Sequence, residues 1–369
     1  MRIVLVDPRG DSRPYDHGLG AALAARGHDV RLATCRFRHG ALPPAPGVAV
    51  QERFYRIADR LPGSLRRVGR GCEHVADLIA LLPLIRSADV VHVMWLPLGP
   101  ADRIFWRIAR IVTRTQLVHT AHNAIVKDGV GSADQVRADC APFAGIVVHS
   151  HAGEAALVRL GVPVQRISRI SHAALAGYAD VQPVAPALPA GVPVALFAGL
   201  IRPYKGLADL LDAWPSVRQR VPDAILHVLG RSLGGDVDAN RAASSEGVVA
   251  DLRYVDPGEW AGAMLRADVV VLPYRSIDQS GVLASAIALG RPVVATDVGG
   301  FGETLADTGA GLLVPPRDPA VLAATISALL LDADLRASLA AAAVAAAAGE
   351  LSWDRSAERH EQVYARAAA

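Results

Sequence analysis

Short apolar runs alternate with helix-length segments along the first half of the chain. The runs are rich in Val, Ile and Leu, and they read RIVLV, DVRLAT, ADVVHVMW, TQLVHTAH and GIVVHS. Helical spacing appears between them, beginning with GLGAALAARG after the first run. Strands that are apolar on both faces and separated by helices are typical of a parallel sheet with helices on both sides. The pattern therefore predicts an α/β fold.

A segment rich in Pro and Gly interrupts the pattern from Tyr178 to Val194. It has no hydrophobic period, which is typical of a linker. The strands then restart with VALFAGL, AILHVLG, DLRYVD, DVVVLPY and RPVVATDVGG. We predict two doubly wound domains, 1–180 and 190–350, with a ligand cleft between them at the carboxyl ends of the strands. Residues 351–369 are predicted to form a helix that packs back toward the first domain.

Composition narrows the function classes. The chain has 369 residues, which exceeds the roughly 250 to 300 residues at which single cores stop growing, so two domains are expected. Its 38 basic and 36 acidic residues give a net charge of +2, which disfavours a protein that binds nucleic acid through bulk charge. The N-terminal sequence has no signal-peptide pattern, and no apolar run looks long enough to span a bilayer. We expect a cytoplasmic protein.

Metal and disulfide chemistry find little support in the sequence. The cysteines, Cys35, Cys72 and Cys140, are far apart and lack CxxC spacing, which fits a reducing compartment. His149 and His151 lack a third ligand at a suitable spacing. There is also no Walker motif, no Ser-His-Asp order and no Asp-x-Asp run that would hold a divalent ion under a diphosphate. We therefore expect no metal site.

The stretch FAGLIRPYKGLADLLDAW places two cations where the first strand of the second domain should end. Arg202 and Lys205 come directly before Gly206 and a helical segment. A helix N-terminus offers backbone N–H groups and a partial positive charge, so a phosphate placed there would gain hydrogen bonds and two counter-charges. The alternative is that both side chains are solvated loop cations.

A second glycine turn lies further along the same predicted sheet. Gln279, Ser280, Gly281 and Val282 stand at the start of the helical segment VLASAIALG. Because this is another helix start on the same sheet edge, the two turns together predict a pyrophosphate site. Glu303 follows Gly299 and Gly300 near the start of a later helix, where capping of the helix and contact with substrate are equally open.

The first domain offers its own candidates for ligand contact. Gly18 and Gly20 are expected to open the first helix and to let the backbone approach a ligand, although a tight turn explains them as well. His122 ends the strand TQLVHTAH, where an imidazole can donate a hydrogen bond to an oxygen of sugar or phosphate. His119 lies within that strand and is interpreted as a core residue.

Several motifs resemble those of one enzyme family. They read GLIRPYKG, GRPVVATDVGGFGE, GAGLLVPPRDP, RGHDV, HTAHN and SWDRSAERHEQVY, and they are spread over essentially the whole chain. None is specific by itself, but the set resembles the retaining glycosyltransferases of family 4. These enzymes have the GT-B fold, in which two doubly wound Rossmann-like domains face a cleft.

The resemblance implies transfer of a sugar from a UDP- or GDP-linked nucleotide sugar to a hydroxyl acceptor, with retention of configuration and no further cofactor. The matching motifs assign His122 to the donor sugar and Lys205 to the leaving diphosphate. The family's arginine five positions before this lysine corresponds to Leu200 here, and Arg202 is interpreted as its substitute at the diphosphate. The other expected donor-binding positions are Gly18, Gly20, Gln279, Ser280, Gly281, Val282 and Glu303.

One departure from the family pattern leaves alternatives open. Family members usually carry two glutamates eight positions apart before the GxPVV motif, and the corresponding residues here are Ile277 and Ser285. The alternative is a catalytically weak or inactive protein that binds a nucleotide sugar with the same fold. A sugar-nucleotide epimerase of related architecture is less well supported, because it would need acidic and histidine groups on both walls of the cleft.

The sequence indicates little about the acceptor substrate. The segment from Arg53 to Gly71 interleaves apolar residues with six arginines, at positions 53, 56, 60, 66, 67 and 70. A basic amphipathic segment can lie on the anionic inner face of a membrane, and it can equally be a solvated helix face. In the first case the acceptor would be lipid-linked; in the second, a glycan or small molecule is as plausible. No nucleic acid partner is expected.

Overall fold

The computed structural model of the protein describes residues 1–10, 12–38, 40–125, 132–232 and 237–368. The chain divides into two compact units. The first contains Met1–Arg38, Pro44–Ser171 and Trp353–Ala369, and the second contains His172–Ser352 with a short piece at 40–43. Each unit is a parallel sheet covered by helices, which confirms the predicted fold class of two Rossmann-like α/β domains.

The first unit is built on a seven-stranded parallel sheet. Its strands are β1 (Arg2–Asp7), β2 (Asp29–Cys35), β3 (Val48–Phe54), β4 (Val90–Val93), β5 (Gln116–Thr120), β6 (Gly145–Val148) and β7 (Ile167–Arg169). The helices from the same part of the chain are α1 (Arg13–Ala25), α2 (Gly63–Ala80), α3 (Leu82–Ser87), α4 (Pro100–Thr113), α5 (Ala133–Cys140) and α6 (His151–Arg159). Central strands such as β4 are buried along their whole length, so Val and Ile face helices on both sides.

The second unit repeats this plan with six parallel strands. They are β8 (Val194–Ala198), β9 (Ile225–Leu229), β10 (Val248–Asp251), β11 (Val269–Leu272), β12 (Val293–Thr296) and β13 (Gly311–Val314). The helices are α7 (Leu207–Arg220), α8 (Val237–Ser244), α9 (Pro257–Arg266), α10 (Gly281–Ala288), α11 (Phe301–Thr308), α12 (Pro319–Leu331) and α13 (Ala333–Ala348). The last helix of the chain, α14 (Trp353–Ala368), belongs to the first unit.

The order of the strands creates one switch point in each sheet. The first sheet runs β3-β2-β1-β4-β5-β6-β7, so the chain moves outward from β1 in one direction and later outward from β4 in the other. The second sheet runs β10-β9-β8-β11-β12-β13, and its switch lies between β8 and β11. Ligands of doubly wound sheets bind outside the carboxyl ends of the two strands at such a point.

The sequence pattern misses the edges of both sheets. The apolar pattern does not predict the edge strands β3, β7 and β13. β10 ends at Asp251, where the sequence suggested that a strand begins. Edge strands are half exposed, as in β3, so their residues do not form the apolar runs that identify central strands.

The Pro-rich segment is part of the second unit and does not behave as a free linker. The backbone N–H of Val184 donates to the carbonyl of Gly258 at 3.0 Å, and the guanidinium of Arg266 donates to the carbonyls of Pro189 at 3.0 Å and Val192 at 2.7 Å. An extended chain without periodicity can still pack when its backbone groups are paired in this way. The chain accordingly changes unit after Ser171.

Helix α14 packs against α1, β5 and β6 of the first unit. The Tyr364 hydroxyl lies 2.8 Å from Nδ1 of His92, whose Nε2 lies 2.7 Å from the Thr120 hydroxyl in β5. On the surface, Arg26 pairs with both Asp354 and Glu361 at 2.9 Å. The end of the chain therefore completes the core of the unit in which the chain begins.

By length and composition, Ala333–Ala367 could cross a membrane, and this is weak evidence. The stretch consists of α13 and α14, which are separated by a break around Gly349. The two helices belong to different units, and the second one packs against α1.

The expectation that Gly18 and Gly20 open the first helix is wrong. Helix α1 begins at Arg13, so both glycines lie inside it. A Cβ added at Gly18 would lie 2.1 Å from Cε2 of Trp353, and one at Gly20 would lie 3.1 Å from Cγ2 of Val48. Close packing against neighbours in the same unit therefore accounts for both glycines.

We expect Gly18→Ala to lower the free energy of unfolding by about 1–3 kcal/mol, because its methyl group would overlap the Trp353 indole. Gly71→Ala is the matched control, since Gly71 lies inside α2 with open space around its Cα. It should stabilise the protein by about 0.5–1 kcal/mol through helix propensity. Scanning calorimetry measures both variants. Unchanged stability of Gly18→Ala would mean that the packing explanation is wrong.

Candidate functional site

The loop between β8 and α7 carries two predicted cations at the switch point of the second sheet. A 3-10 turn, Pro203–Lys205, is followed by Gly206 with φ of +69°, and α7 begins at the next residue. A Cβ at Gly206 would lie 1.9 Å from the carbonyl oxygen of Pro273, just after β11. Only glycine combines this left-handed conformation with so close an approach of two backbones. The turn is therefore fixed against the end of the neighbouring strand.

Lys205 is buried at this turn, with 8% of its surface exposed. Its Nζ lies 5.2 Å from the ring centroid of Tyr274, and a Cβ added at Gly199 would lie 2.7 Å from the same atom. Burial lowers the pKa of the ammonium to about 8; Tyr204 raises this pKa and the positive charge of Arg202 lowers it. An anion bound here would relieve both the loss of hydration and the repulsion between the two cations.

Arg202 is exposed and lies on the same turn as Lys205. An ion pair anchors this turn from the other strand of the switch point. The guanidinium of Arg275 donates to both carboxylate oxygens of Asp209 in α7, at 2.6 and 2.9 Å. The backbone N–H of Arg275 donates to the carbonyl of Tyr204 at 2.7 Å. The sequence analysis missed this pair, because its members are 66 positions apart and neither belongs to a recognisable motif.

The second predicted turn meets the first. Ser280 caps α10, and its Oγ accepts from the backbone N–H groups of Val282 at 3.2 Å and Leu283 at 3.5 Å. Cγ2 of Val282 lies 3.3 Å from the position that a Cβ of Gly199 would occupy. The start of α10 and the buried end of β8 are thus adjacent. Gly281 is exposed, and the nearest heavy atom to a Cβ added there is 3.6 Å away.

The turn at Gly299 and Gly300 packs against the segment that leads into α10. A Cβ at Gly299 would lie 1.7 Å from the carbonyl oxygen of Ile277, and one at Gly300 would lie 2.3 Å from Nε2 of Gln279. These glycines therefore let two loops touch. Gln279 and Glu303 are both half-buried, and Glu303 lies in the first turn of α11.

The two positions where the family usually has glutamates hold no carboxylate. Ile277 is 5% exposed and belongs to the hydrophobic core. Ser285 is buried inside α10, and its hydroxyl donates to the carbonyl of Gly281 at 2.8 Å. The Ser285 side chain is therefore directed to the backbone of its own helix.

In the first unit, aromatic rings surround His122. Its ring stacks on that of Trp95, with centroids 5.0 Å apart and planes 17° apart. The edge contact with Tyr15 has a centroid distance of 5.3 Å, and the ring of His149 lies 5.2 Å away. His122 follows β5, as the sequence predicts, and it is half-buried.

A polar cluster at the ends of β1 and β4 supports this group of rings. The indole Nε1 of Trp95 donates to the Ser12 hydroxyl at 3.0 Å. The Ser12 Oγ also lies 3.2 Å from Asp7 Oδ2 and 3.4 Å from Asp16 Oδ1. Burial, together with the neighbouring charge of Asp7, raises the pKa of Asp16 well above its usual value. The sequence analysis missed both Trp95, which lies two positions after the end of β4, and Ser12, which lies directly before α1.

His119 and His149, which also lie at strands of this unit, occupy structural positions. His119 is buried, and its Nδ1 donates to the carbonyl of Val93 at 2.8 Å. Burial lowers its pKa to about 4, so the ring is neutral at pH 7. Nδ1 of His149 donates in the same way to the carbonyl of Ile170 at 2.9 Å. Within the described ranges, no group of three or more His, Cys, Asp or Glu residues is arranged to hold a metal ion.

Two sequence families match the two units in turn. The family described as "Glycosyl transferase 4-like domain" matches residues 12–173, and the family described as "Glycosyl transferases group 1" matches residues 192–332. A D-inositol 3-phosphate glycosyltransferase of Salinispora arenicola is 32% identical over 317 residues, covering 76% of this chain and 69% of that protein. A phosphatidyl-myo-inositol mannosyltransferase of Mycolicibacterium smegmatis is 38% identical over 173 residues, covering 46% and 44%.

Solved structures show the same fold. A sucrose-phosphate synthase of Thermosynechococcus elongatus superimposes with a TM-score of 0.75 at 22% identity, covering 99% of this chain and 98% of that one. The Anabaena protein HepE, solved in complex with UDP and glucose, gives a TM-score of 0.73 at 17% identity, with 98% of both chains covered. These likenesses and the matched families confirm the resemblance noted in the sequence: the chain belongs to family 4 of the glycosyltransferases and has the GT-B fold.

Proposed function

We propose that the protein transfers a sugar from a nucleotide-sugar donor to a hydroxyl acceptor. The observation that carries this proposal is the buried ammonium of Lys205 beside the start of α10, at the switch point of the second sheet. A diphosphate bound there would receive charge from Lys205 and Arg202 and a hydrogen bond from the backbone N–H of Gly281, which the Ser280 cap does not occupy. Stabilising the charge of a departing diphosphate in this way lowers the barrier to transfer.

We assign retention of configuration and independence of metal ions to the reaction. The bond between the anomeric carbon and the diphosphate oxygen breaks as the acceptor oxygen attacks the same face. The acceptor proton moves to an oxygen of the leaving diphosphate, so no protein nucleophile is needed. Charge on the diphosphate would be neutralised by Lys205 and Arg202 in place of a divalent ion.

The other candidate residues are assigned roles from their positions within each unit. His122 is proposed to donate a hydrogen bond to an oxygen of the donor sugar through its imidazole. Gln279 and Glu303, both near helix starts of the second unit, are proposed to contact the donor. Ser280 and Gly281 would bind the donor through their backbone N–H groups, since the Ser280 side chain already caps α10. The Val282 N–H donates to that cap, so we propose that Val282 contacts the donor only when the cap bond opens.

In this proposal the donor sugar is linked to UDP or GDP. The acceptor hydroxyl belongs to a cyclic polyol. The relatives are named for inositol 3-phosphate and for phosphatidyl-myo-inositol, which share an inositol ring that carries a phosphate. We propose an acceptor of this class, either free or linked to lipid. Other glycans or small-molecule glycosides would be separate outcomes of an acceptor screen.

A second candidate is a nucleotide-sugar-binding protein with weak or no catalytic activity. Ile277 and Ser285 favour it, because neither supplies a carboxylate for the donor. A transfer assay distinguishes the two candidates. It would combine UDP- and GDP-sugars with free and lipid-linked inositol phosphates, with and without EDTA. We expect product of retained configuration in both buffers; donor binding without product would favour the binding protein, and loss of activity in EDTA that magnesium restores would overturn metal independence.

Affinity for the nucleoside diphosphate should fall as the pH rises above about 8. Lys205 carries its proton below that pH in the free protein, and binding of an anion requires this charge. The expected loss is about tenfold per pH unit until the pKa of the complex is reached. Calorimetric titration with UDP and GDP from pH 7 to 9.5 measures it.

Lys205→Met should weaken binding at pH 7 and remove this pH dependence. Arg218→Met is a suitable control, because the Arg218 guanidinium lies on the surface of α7 and pairs with Glu246. It should bind as the wild type does and keep the pH dependence. An unchanged pH profile in Lys205→Met would show that another group titrates.

Gly281→Val should abolish donor binding, whereas Ser285→Ala should have little effect. The valine side chain has room in the unliganded fold, since only Leu175 comes near, but it would occupy the approach to the helix start. The Ser285 hydroxyl donates to its own helix and is too short to replace a glutamate. Equilibrium titration with the nucleotide compares the two. An equal loss in both would place a donor contact at Ser285.

We also propose that the first unit touches the anionic surface of a membrane. Of the segment from Arg53 to Arg70, only part is free for this, because Arg70 pairs with Asp59 and Arg66 donates to the carbonyl of Leu61. Two neighbouring helices, α2 and α4, offer a more coherent face. Their exposed large apolar side chains are Leu65, Val68, Val75, Ile79, Ile104, Ile108, Ile111 and Val112.

Charge on the two helices fits a lipid surface. Their exposed charged side chains, within the described residues, are arginines, at positions 67, 107 and 110. The acidic side chains are directed inward: Glu73 and Asp77 accept from backbone N–H groups before α2. Asp102 of α4 is buried against His74 of α2 at 2.7 Å, which joins the two helices. Each cation near an anionic surface adds about 1 kcal/mol to binding.

Ile108→Glu should reduce binding to vesicles that contain phosphatidylglycerol by about tenfold or more, because it replaces inserted apolar surface with a repelled charge. Val344→Glu, at an equally exposed position on α13, should bind as the wild type does. Flotation with phosphatidylglycerol and phosphatidylcholine vesicles measures both variants. Equal binding of both variants, or a wild-type dimer in light scattering that Ile108→Glu dissociates, would overturn the membrane assignment.

A further inference from the structure

We propose that Trp95 and Ser12 are positioning residues that hold the imidazole of His122 in a fixed orientation. The proposal rests on the donor-sugar role proposed for His122. Neither residue is expected to touch the substrate through its own polar atoms, because the indole N–H and the serine hydroxyl bind each other.

The hydrogen bond between the two side chains bridges the switch point of the first sheet. Ser12 lies between β1 and α1, and Trp95 lies just after β4. β1 and β4 are neighbours in the sheet, but the chain leaves them in opposite directions. The 3.0 Å bond from Nε1 to Oγ therefore ties together two loops that no secondary structure connects.

The acceptor end of this bond is itself held in place. A serine hydroxyl has one proton to donate and lone pairs that accept. Its proton is directed to Asp7, 3.2 Å away, or to Asp16, 3.4 Å away, which leaves a lone pair for the indole. Asp7 in turn accepts from the backbone N–H groups of Arg9 at 3.0 Å and Gly10 at 2.9 Å. The main chain after β1 therefore fixes the position of the indole through Asp7 and Ser12.

The indole in turn restrains the ring of His122, because the two rings are stacked. The planes of Trp95 and His122 are 17° apart, and the guanidinium carbon of Arg9 lies 5.4 Å from the Trp95 centroid. Tyr15 closes the group through its edge contact with His122, at 86°. A ring confined by a stacked and a perpendicular neighbour keeps its plane, so the direction of its N–H groups is set before any ligand binds.

The experiment is a double-mutant cycle that separates the hydrogen bond from the stack. Trp95→Phe keeps an aromatic ring but removes the N–H group, and Ser12→Ala removes its acceptor. Each should lower kcat about tenfold with KM for the donor unchanged, because misorientation of a contact group acts on the transition state. The double variant should be no worse than either single variant, since both remove the same bond. Trp95→Leu, which also removes the stack, should lower kcat about a hundredfold.

Controls make the result specific. Trp260→Phe changes a half-buried indole in the second unit and should leave kcat unchanged. In a His122→Gln background, Trp95→Phe should have no further effect. Multiplicative losses in the double variant, or a full further loss in the His122→Gln background, would overturn the proposal.

A second readout does not depend on activity and separates this proposal from the proposed function. The Cε1–H resonance of His122, assigned by its absence in His122→Gln, should shift in Ser12→Ala of the unliganded protein, because this variant leaves both rings in place and removes only the bond that orients the indole. If transfer is absent but this shift occurs, the proposed function fails and the positioning holds. If the resonance is the same in Ser12→Ala and the wild type, the positioning fails whatever the activity.

Discussion

In a doubly wound sheet, right-handed connections place the helices on opposite faces on the two sides of the switch point. There the chain leaves two neighbouring strands toward opposite faces of the sheet. In the second unit, α7 follows β8 into one hydrophobic core, while α10 follows β11 into the core on the other face. The loops must diverge, and the carboxyl ends of β8 and β11 are left between two helix starts. The candidate donor contacts at Arg202, Lys205 and the start of α10 depend on that divergence.

Glycine then brings the diverging loops close enough for Lys205 to be buried. Gly206 and Gly199 allow backbone and side chain to meet at distances that no Cβ would permit. The buried ammonium is costly in the unliganded protein, which is why its pKa falls to about 8. An anion bound beside Lys205 is therefore favoured by the fold itself. The ion pair of Asp209 and Arg275 holds the turn that carries Lys205 against the end of β11.

The sequence predicted what depends on local pattern and missed what depends on distant contacts. Central strands such as β8 are identifiable because both faces are buried, and the helix start at Gly281 follows from turn chemistry. Gly18 was misinterpreted, because its reason is an indole 335 positions later in the chain. Trp95 gave only a weak signal, because it ends the apolar run ADVVHVMW and looks like part of the strand, and its partner Ser12 is 83 positions away.

The docking of α14 on the first unit imposes an order on biosynthesis. Residues before Ser171 leave the ribosome while the partners of His92, Tyr15 and Gly18 on α14 have not yet been translated. The whole second unit, His172–Ser352, is made in the interval, and domains generally fold as they emerge. The unit that begins to emerge first is thus completed last, and until α14 is made the surface around Gly18 and Tyr15 that packs against Trp353 stays uncovered.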